Sequence, residues 1–121
     1  METIISTLFA ARDAAHLLHL KTRSFSAHLA LGELYDKLIE LADDLTEIHL
    51  GKYAKYGGLV GDAPSALDFT GMSALQFIGT LANWAESAKD QFNPADTHML
   101  NEWDNMISTI YRAKYKLENL A

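Results

Sequence analysis

Apolar residues recur at spacings of three and four in four stretches of this chain, the pattern of four amphipathic helices. The first is predicted from Thr3 to Leu20, with Ile5, Leu8, Phe9, Ala15 and Leu18 on its apolar side. The second is predicted from Ser26 to Leu50, with Leu31, Leu34, Tyr35, Leu38, Ala42 and Leu45 on one face. Thr22, Ser24 and Ser26 form a polar joint between these two, and Ser24 or Ser26 can cap the second helix. The third is predicted from Met72 to Asp90, facing inward through Leu75, Ile78, Leu81, Ala82, Ala85 and Ala88. The fourth opens on Asn93 as N-cap, Pro94 as first helical residue and Asp96 in the first turn. It continues through Met99, Trp103, Met106, Ile110, Ala113 and Leu117.

The connections set the architecture. The first and third joints are short, so each joins an antiparallel helical hairpin. The middle segment, Gly51 to Gly71, carries five glycines and one proline. At about 3.3 Å per extended residue it can cross the ~37 Å length of the second helix. Two short joints around one long crossover predict an all-α protein: a four-helix, ferritin-like bundle forming one domain over residues 1–121.

Polar positions on the second helix carry the candidate chemistry. At about 100° per residue, with His28 at zero, the apolar face centres near 280°. Gly32, Asp43, Asp36 and Glu47 then fall at roughly 40, 60, 80 and 100°. They form one flank beside the core. His28 and Asp43 lie about 22 Å apart along the helix axis, so one copy cannot close them on one ion. Two antiparallel copies about a two-fold axis would bring His28 of one near Asp43 and Glu47 of the other. Asp43 and Glu47, one turn apart, can clamp an ion together. His19, just before the first joint, can meet His28 just after it, and Gly32 on the same stripe allows close helix approach. The set His19, His28, Asp36, Asp43 and Glu47 suits iron, manganese or zinc. Taken singly, acidic residues on a helix are most often a solvated face, and histidines beside a turn are most often caps.

Composition narrows the chemistry. The 121 residues include no cysteine, which excludes disulfides, thiolate metal sites and cysteine nucleophiles. The net charge of -6 and the lack of a basic tail argue against nucleic acid as a partner. No apolar run reaches the roughly 20 residues of a membrane span, and the N-terminus lacks a basic signal-peptide region. The expectation is a soluble, cytoplasmic protein.

The segment His16 to Gly51, HLLHLKTRSFSAHLALGELYDKLIELADDLTEIHLG, resembles Dps-type mini-ferritins, most closely the short phage-encoded forms. It looks like that family's two-histidine hairpin followed by a D-x-x-x-E acid cluster. The resemblance implies a ferroxidase centre at a two-fold interface, with two histidines from one subunit and an Asp and a Glu from its mate. His28, Asp43 and Glu47 match by spacing, and His19, with His16 as the alternative, supplies the other histidine. Gly32 stands where the family pattern has an aspartate, with Asp36 or Glu33 nearby as substitutes. The tryptophan-asparagine that usually follows the first histidine is Leu20-Lys21 here. The resemblance further implies Fe(II) oxidation by hydrogen peroxide or dioxygen, and iron storage or detoxification in a hollow, dodecameric shell. In a phage-encoded form the compartment would be the host cytoplasm. The competing expectation is a helical oligomeric interaction or structural protein that keeps the fold without the chemistry.

Other constellations are weaker. His98 and Glu102, one turn apart on the fourth helix, more commonly form an exposed ion pair than a metal site. No E-x-x-H occurs, which argues against a di-iron site inside one bundle. Trp84 and Trp103 are expected as core or interface anchors. The run Gly51 to Gly58, with two lysines and two tyrosines, is expected as a surface loop.

Overall fold

The computed structural model describes residues 1–53 and 63–121. Four α-helices dominate it: α1 (Glu2–Lys21), α2 (Phe25–Tyr53), α3 (Ala74–Ala88) and α4 (Thr97–Asn119). A 3-10 turn, Lys89–Gln91, extends the end of α3. No strand occurs among the described residues. Residues 54–58 of the glycine-, lysine- and tyrosine-containing run, and the centre of the predicted crossover, lie outside the described residues. The start of that run is helical rather than a loop: Gly51, Lys52 and Tyr53 form the last turn of α2.

The helix boundaries follow local capping chemistry. The Ser24 hydroxyl accepts from the Ala27 amide at 3.2 Å, as expected of a cap for α2. Ser73 caps α3 in a full capping box with Gln76. This cap starts α3 two residues later than the apolar period alone suggests, and Leu75, expected inside, is 53% exposed. The start of α4 also moves. Asn93 caps a turn instead, its side chain accepting from the Ala95 amide at 2.9 Å, and Asp96 becomes the N-cap residue of α4.

Asp96 is held there by a contact distant in sequence. Its buried carboxylate accepts from Lys52 and, at 2.5 Å, from the Tyr53 hydroxyl. The Lys52 and Tyr53 hydrogen bonds hold the Asp96 carboxyl below its usual range, and both donors are pushed up in return. These bonds tie the end of α2 to the start of α4. At the opposite end, the Ser26 hydroxyl donates to the Leu120 carbonyl at 2.6 Å. The two helices therefore run antiparallel. Across the bundle, α1 packs on α2 and α3, and α4 packs on α2 and α3.

One continuous core fills the space between them. All six predicted inward residues of α4 are buried, Met99 through Leu117. Trp103 is fully buried, meets Trp84 edge-to-face at 5.4 Å and Phe92 at 5.2 Å, and donates its indole N–H to the Ala85 carbonyl at 2.8 Å. Both tryptophans are thus core anchors.

A buried hydroxyl fixes the segment that leads into α3. Thr7 donates to the Thr3 carbonyl at 2.6 Å and accepts from the Ala66 amide at 2.8 Å. Residues 67–72 then line a groove along the later part of α1, with Ala10, Ala14, Leu17 and Leu18 on its other side. Thr7→Val keeps the shape but leaves the Ala66 amide without its acceptor. The expected cost is about 1–2 kcal/mol, read by chemical denaturation. Amide hydrogen exchange at Ala66 should accelerate in the same variant, and an unchanged exchange rate would contradict this role.

Candidate metal centre

The α1–α2 hairpin brings His19 and His28 together as the sequence suggested. Only Thr22, Arg23 and Ser24 separate the two helices, so the end of α1 folds directly onto the start of α2. The imidazoles stack with centroids 3.7 Å apart and planes 19° from parallel. Each ring is tied to the other residue's backbone. His19 Nδ1 lies 2.6 Å from the His28 carbonyl, and His28 Nδ1 lies 2.9 Å from the His19 carbonyl. A carbonyl only accepts, so both Nδ1 atoms carry the proton and donate. In the neutral rings both Nε2 atoms then keep a lone pair. This is the tautomer that a metal-binding imidazole needs, with the second nitrogen anchored to a carbonyl.

Around the pair lies an aromatic and cationic array. Tyr35 meets the edge of His19 at 5.3 Å and stacks on His16 at 4.3 Å. The Arg12 guanidinium sits 5.5 Å from the Tyr35 ring centre. His16 is 6.1 Å from His19 and engages Tyr35, so His19 is the histidine that pairs with His28. Tyr35, read from the sequence as a core position, is half-buried. The signal for this array was present in the spacing: Arg12, His16 and His19 share one side of α1, and His28 and Tyr35 are seven apart on α2. Gly32 is approached by the His19 ring of the same chain.

The carboxylates stand apart from the histidines. Asp36, Asp43 and Glu47 are exposed along α2 and make no hydrogen bond or ion pair among the described residues. No group of three or more His, Asp or Glu residues that could hold an ion occurs within the chain among the described residues. The spacing along α2 had already separated them. What one chain offers a metal is therefore the histidine pair, whose tautomers suit a divalent ion. The near-parallel ring planes do not converge on one ion without some splaying.

A second acidic cluster was not foreseen. Glu102 does not pair with His98; it turns to Asp44 across the α2–α4 groove. Burial comes first, then the charge of Asp44, in pushing the Glu102 carboxyl above its usual range, and Glu40 adds to it. The groove they line, with Lys37 and Arg112, has a volume of about 460 Å³. Because the folded-state pKa is raised, the folded protein binds the extra proton between the unfolded and folded values. Stability therefore falls as pH rises through that window, and the full cost is present at neutral pH. Glu102→Gln should stabilise the protein at pH 7 by roughly 0.5 kcal/mol, with the gain vanishing below about pH 4. Thermal melts at the two pH values test this; an equal gain at both would contradict it.

Fold and site together define an all-helical, four-helix bundle with a backbone-anchored histidine pair in its first hairpin. Within that class, the chain belongs to a family of unknown function, DUF5856, whose profile matches residues 19–117. Comparison with curated proteins and with solved structures returned no match. No helix among the described residues is long and apolar enough to cross a membrane.

Proposed function

We propose that this chain is a Dps-like mini-ferritin subunit that binds and oxidises Fe(II) at a site shared by two copies. The observation that carries the reading is the reciprocal His19–His28 arrangement, in which each Nδ1 is tied to a carbonyl and each Nε2 is left for a metal ion. The helix neighbours support a ferritin-like bundle. With α2 and α4 antiparallel and each hairpin antiparallel, α2 ends at the opposite end of the bundle from the start of α3. That order supports the long crossover of a ferritin-like bundle.

In this reading two copies pack α2 against α2 about a two-fold axis. His19 and His28 of one chain face Asp43 and Glu47 of the other. Asp36, midway between His28 and Asp43, falls near the axis and meets its own copy. Like charges there repel, and a bound cation offsets the repulsion. Iron is the substrate: two Fe(II) ions give one electron each to hydrogen peroxide, which takes up two protons and leaves as water. Dioxygen is the alternative oxidant, and manganese or zinc can occupy the same donors. Further assembly of the dimers into a closed shell would store or detoxify the ferric product.

The decisive experiment combines mass measurement with Fe(II) oxidation. Light scattering should give a dimer or a larger assembly that weakens under chelator, and the protein should accelerate Fe(II) loss under peroxide. A monomer that leaves the oxidation rate unchanged would overturn the reading. A second reading, a non-catalytic helical interaction protein, has its own support. Leu17, Leu20, Phe25 and Leu29 are all at least 50% exposed around the hairpin turn, an apolar patch of the kind that partners cover. That reading predicts an oligomer whose mass and stability ignore metal and chelator alike.

A further inference from the structure

We propose that Gly32 is the positioning residue of the histidine pair: lacking a side chain, it provides the seat in which the His19 ring lies against α2. A Cβ at this position would stand 3.1 Å from His19 Cε1 and 3.2 Å from His19 Nδ1, tighter than ordinary van der Waals contact. The ring has little room to retreat. Its Nδ1 is committed to the His28 carbonyl at 2.6 Å, its face to the His28 ring at 3.7 Å, and its edge to Tyr35. Gly51, Gly71 and Gly79 offer a contrast, since a Cβ on any of them meets nothing within 4 Å. Glycine inside a helix is disfavoured relative to alanine, and Gly32 lies well inside α2. The bound ring accounts for its presence there.

The seat also decides donor chemistry. A carboxylate side chain at position 32 and the His19 ring compete for the same space. While Gly32 is present, this end of the site offers nitrogen rather than oxygen. A nitrogen pair favours zinc, cobalt and iron over magnesium and calcium. This consequence rests on the proposed metal-binding reading; the seat itself does not.

The test uses the full chain, metal-free, with ¹⁵N-labelled histidine. Imidazole correlation spectra should show the Nδ1–H tautomer for His19 and His28. Gly32→Ala and Gly32→Asp should move His19 toward the mixed tautomers of an unanchored ring, and Gly32→Asp should lower Zn(II) affinity at least about tenfold. A double-mutant cycle separates the seat from helix propensity. In a His19→Ala background, Gly32→Ala should raise the melting temperature by about 4 °C. With His19 present, the same change should leave it level or lower it. Equal gains in both backgrounds would overturn the proposal, as would an unaltered His19 tautomer in Gly32→Asp. If the cycle and spectra behave as expected while no variant binds Zn(II) or Fe(II), the seat stands and the metal-binding reading fails.

Discussion

His28→Ala is expected to lower divalent-metal affinity on the order of a hundredfold or more while leaving the bundle folded. The substitution removes one imidazole donor, the ring that stacks on His19, and the side-chain bond to the His19 carbonyl. Loss of an anchoring partner alone typically costs ten- to hundredfold in affinity, and loss of the ligand adds to that. The fold is spared because the His28 carbonyl belongs to the backbone and still accepts from His19. His28 is also only half-buried, so its removal opens no core cavity. Competition with a chromophoric chelator measures the effect. His98→Ala, on the exposed side of α4, is the matched control and should change nothing. Equal affinity in wild type and His28→Ala would remove the histidine pair from the account.

Trp103→Ala has the largest expected effect on stability, about 3–5 kcal/mol. The indole is fully buried, joins α3 to α4, and is flanked by Trp84 and Phe92. Truncation leaves a cavity between α3 and α4 near the turn that joins them and deprives the Ala85 carbonyl of a donor. The melting temperature should fall on the order of 15 °C. Trp103→Phe retains much of the ring and loses the donor, so its cost should be clearly smaller. A loss below about 1 kcal/mol for the alanine variant would mean that the core does not depend on this hairpin contact.

The parts of the fold legible in the sequence are those set by local periodicity. The α4 stripe from Met99 to Leu117 is buried at every expected position because nothing distant competes with its period. Leu75 escaped that logic because it stands in the first turn, roughly 100° around the helix from the middle of the face that Phe77, Ile78, Leu81, Ala85 and Ala88 bury. The start of α4 shifted for a long-range reason. Asp96 answers to Lys52 and Tyr53, some forty residues away, and no local rule on helix starts contains them.

The candidate site divides in the same way. That His19 and His28 meet was readable from their positions on either side of a short turn. That they stack, and that each Nδ1 finds the other's carbonyl, depends on the register of the hairpin. Gly32 was read as room for a neighbouring helix, because a glycine on a stripe names an approach without naming what approaches. In the fold, His19 takes that space. Glu102 was read with His98 along its own helix, whereas the packing of α4 on α2 turns it to Asp44.

In the proposed dimer the histidine pair of one chain and the acids of another share a metal ion. Anomalous diffraction from crystals grown with Fe(II) or Zn(II) tests it most directly. A peak is expected about 2.0–2.2 Å from Nε2 of His19 or His28. The same peak should lie within reach of Asp43 or Glu47 from a two-fold-related copy. Metal-loaded crystals with no anomalous density at either histidine, or with density reached by one chain alone, would contradict it.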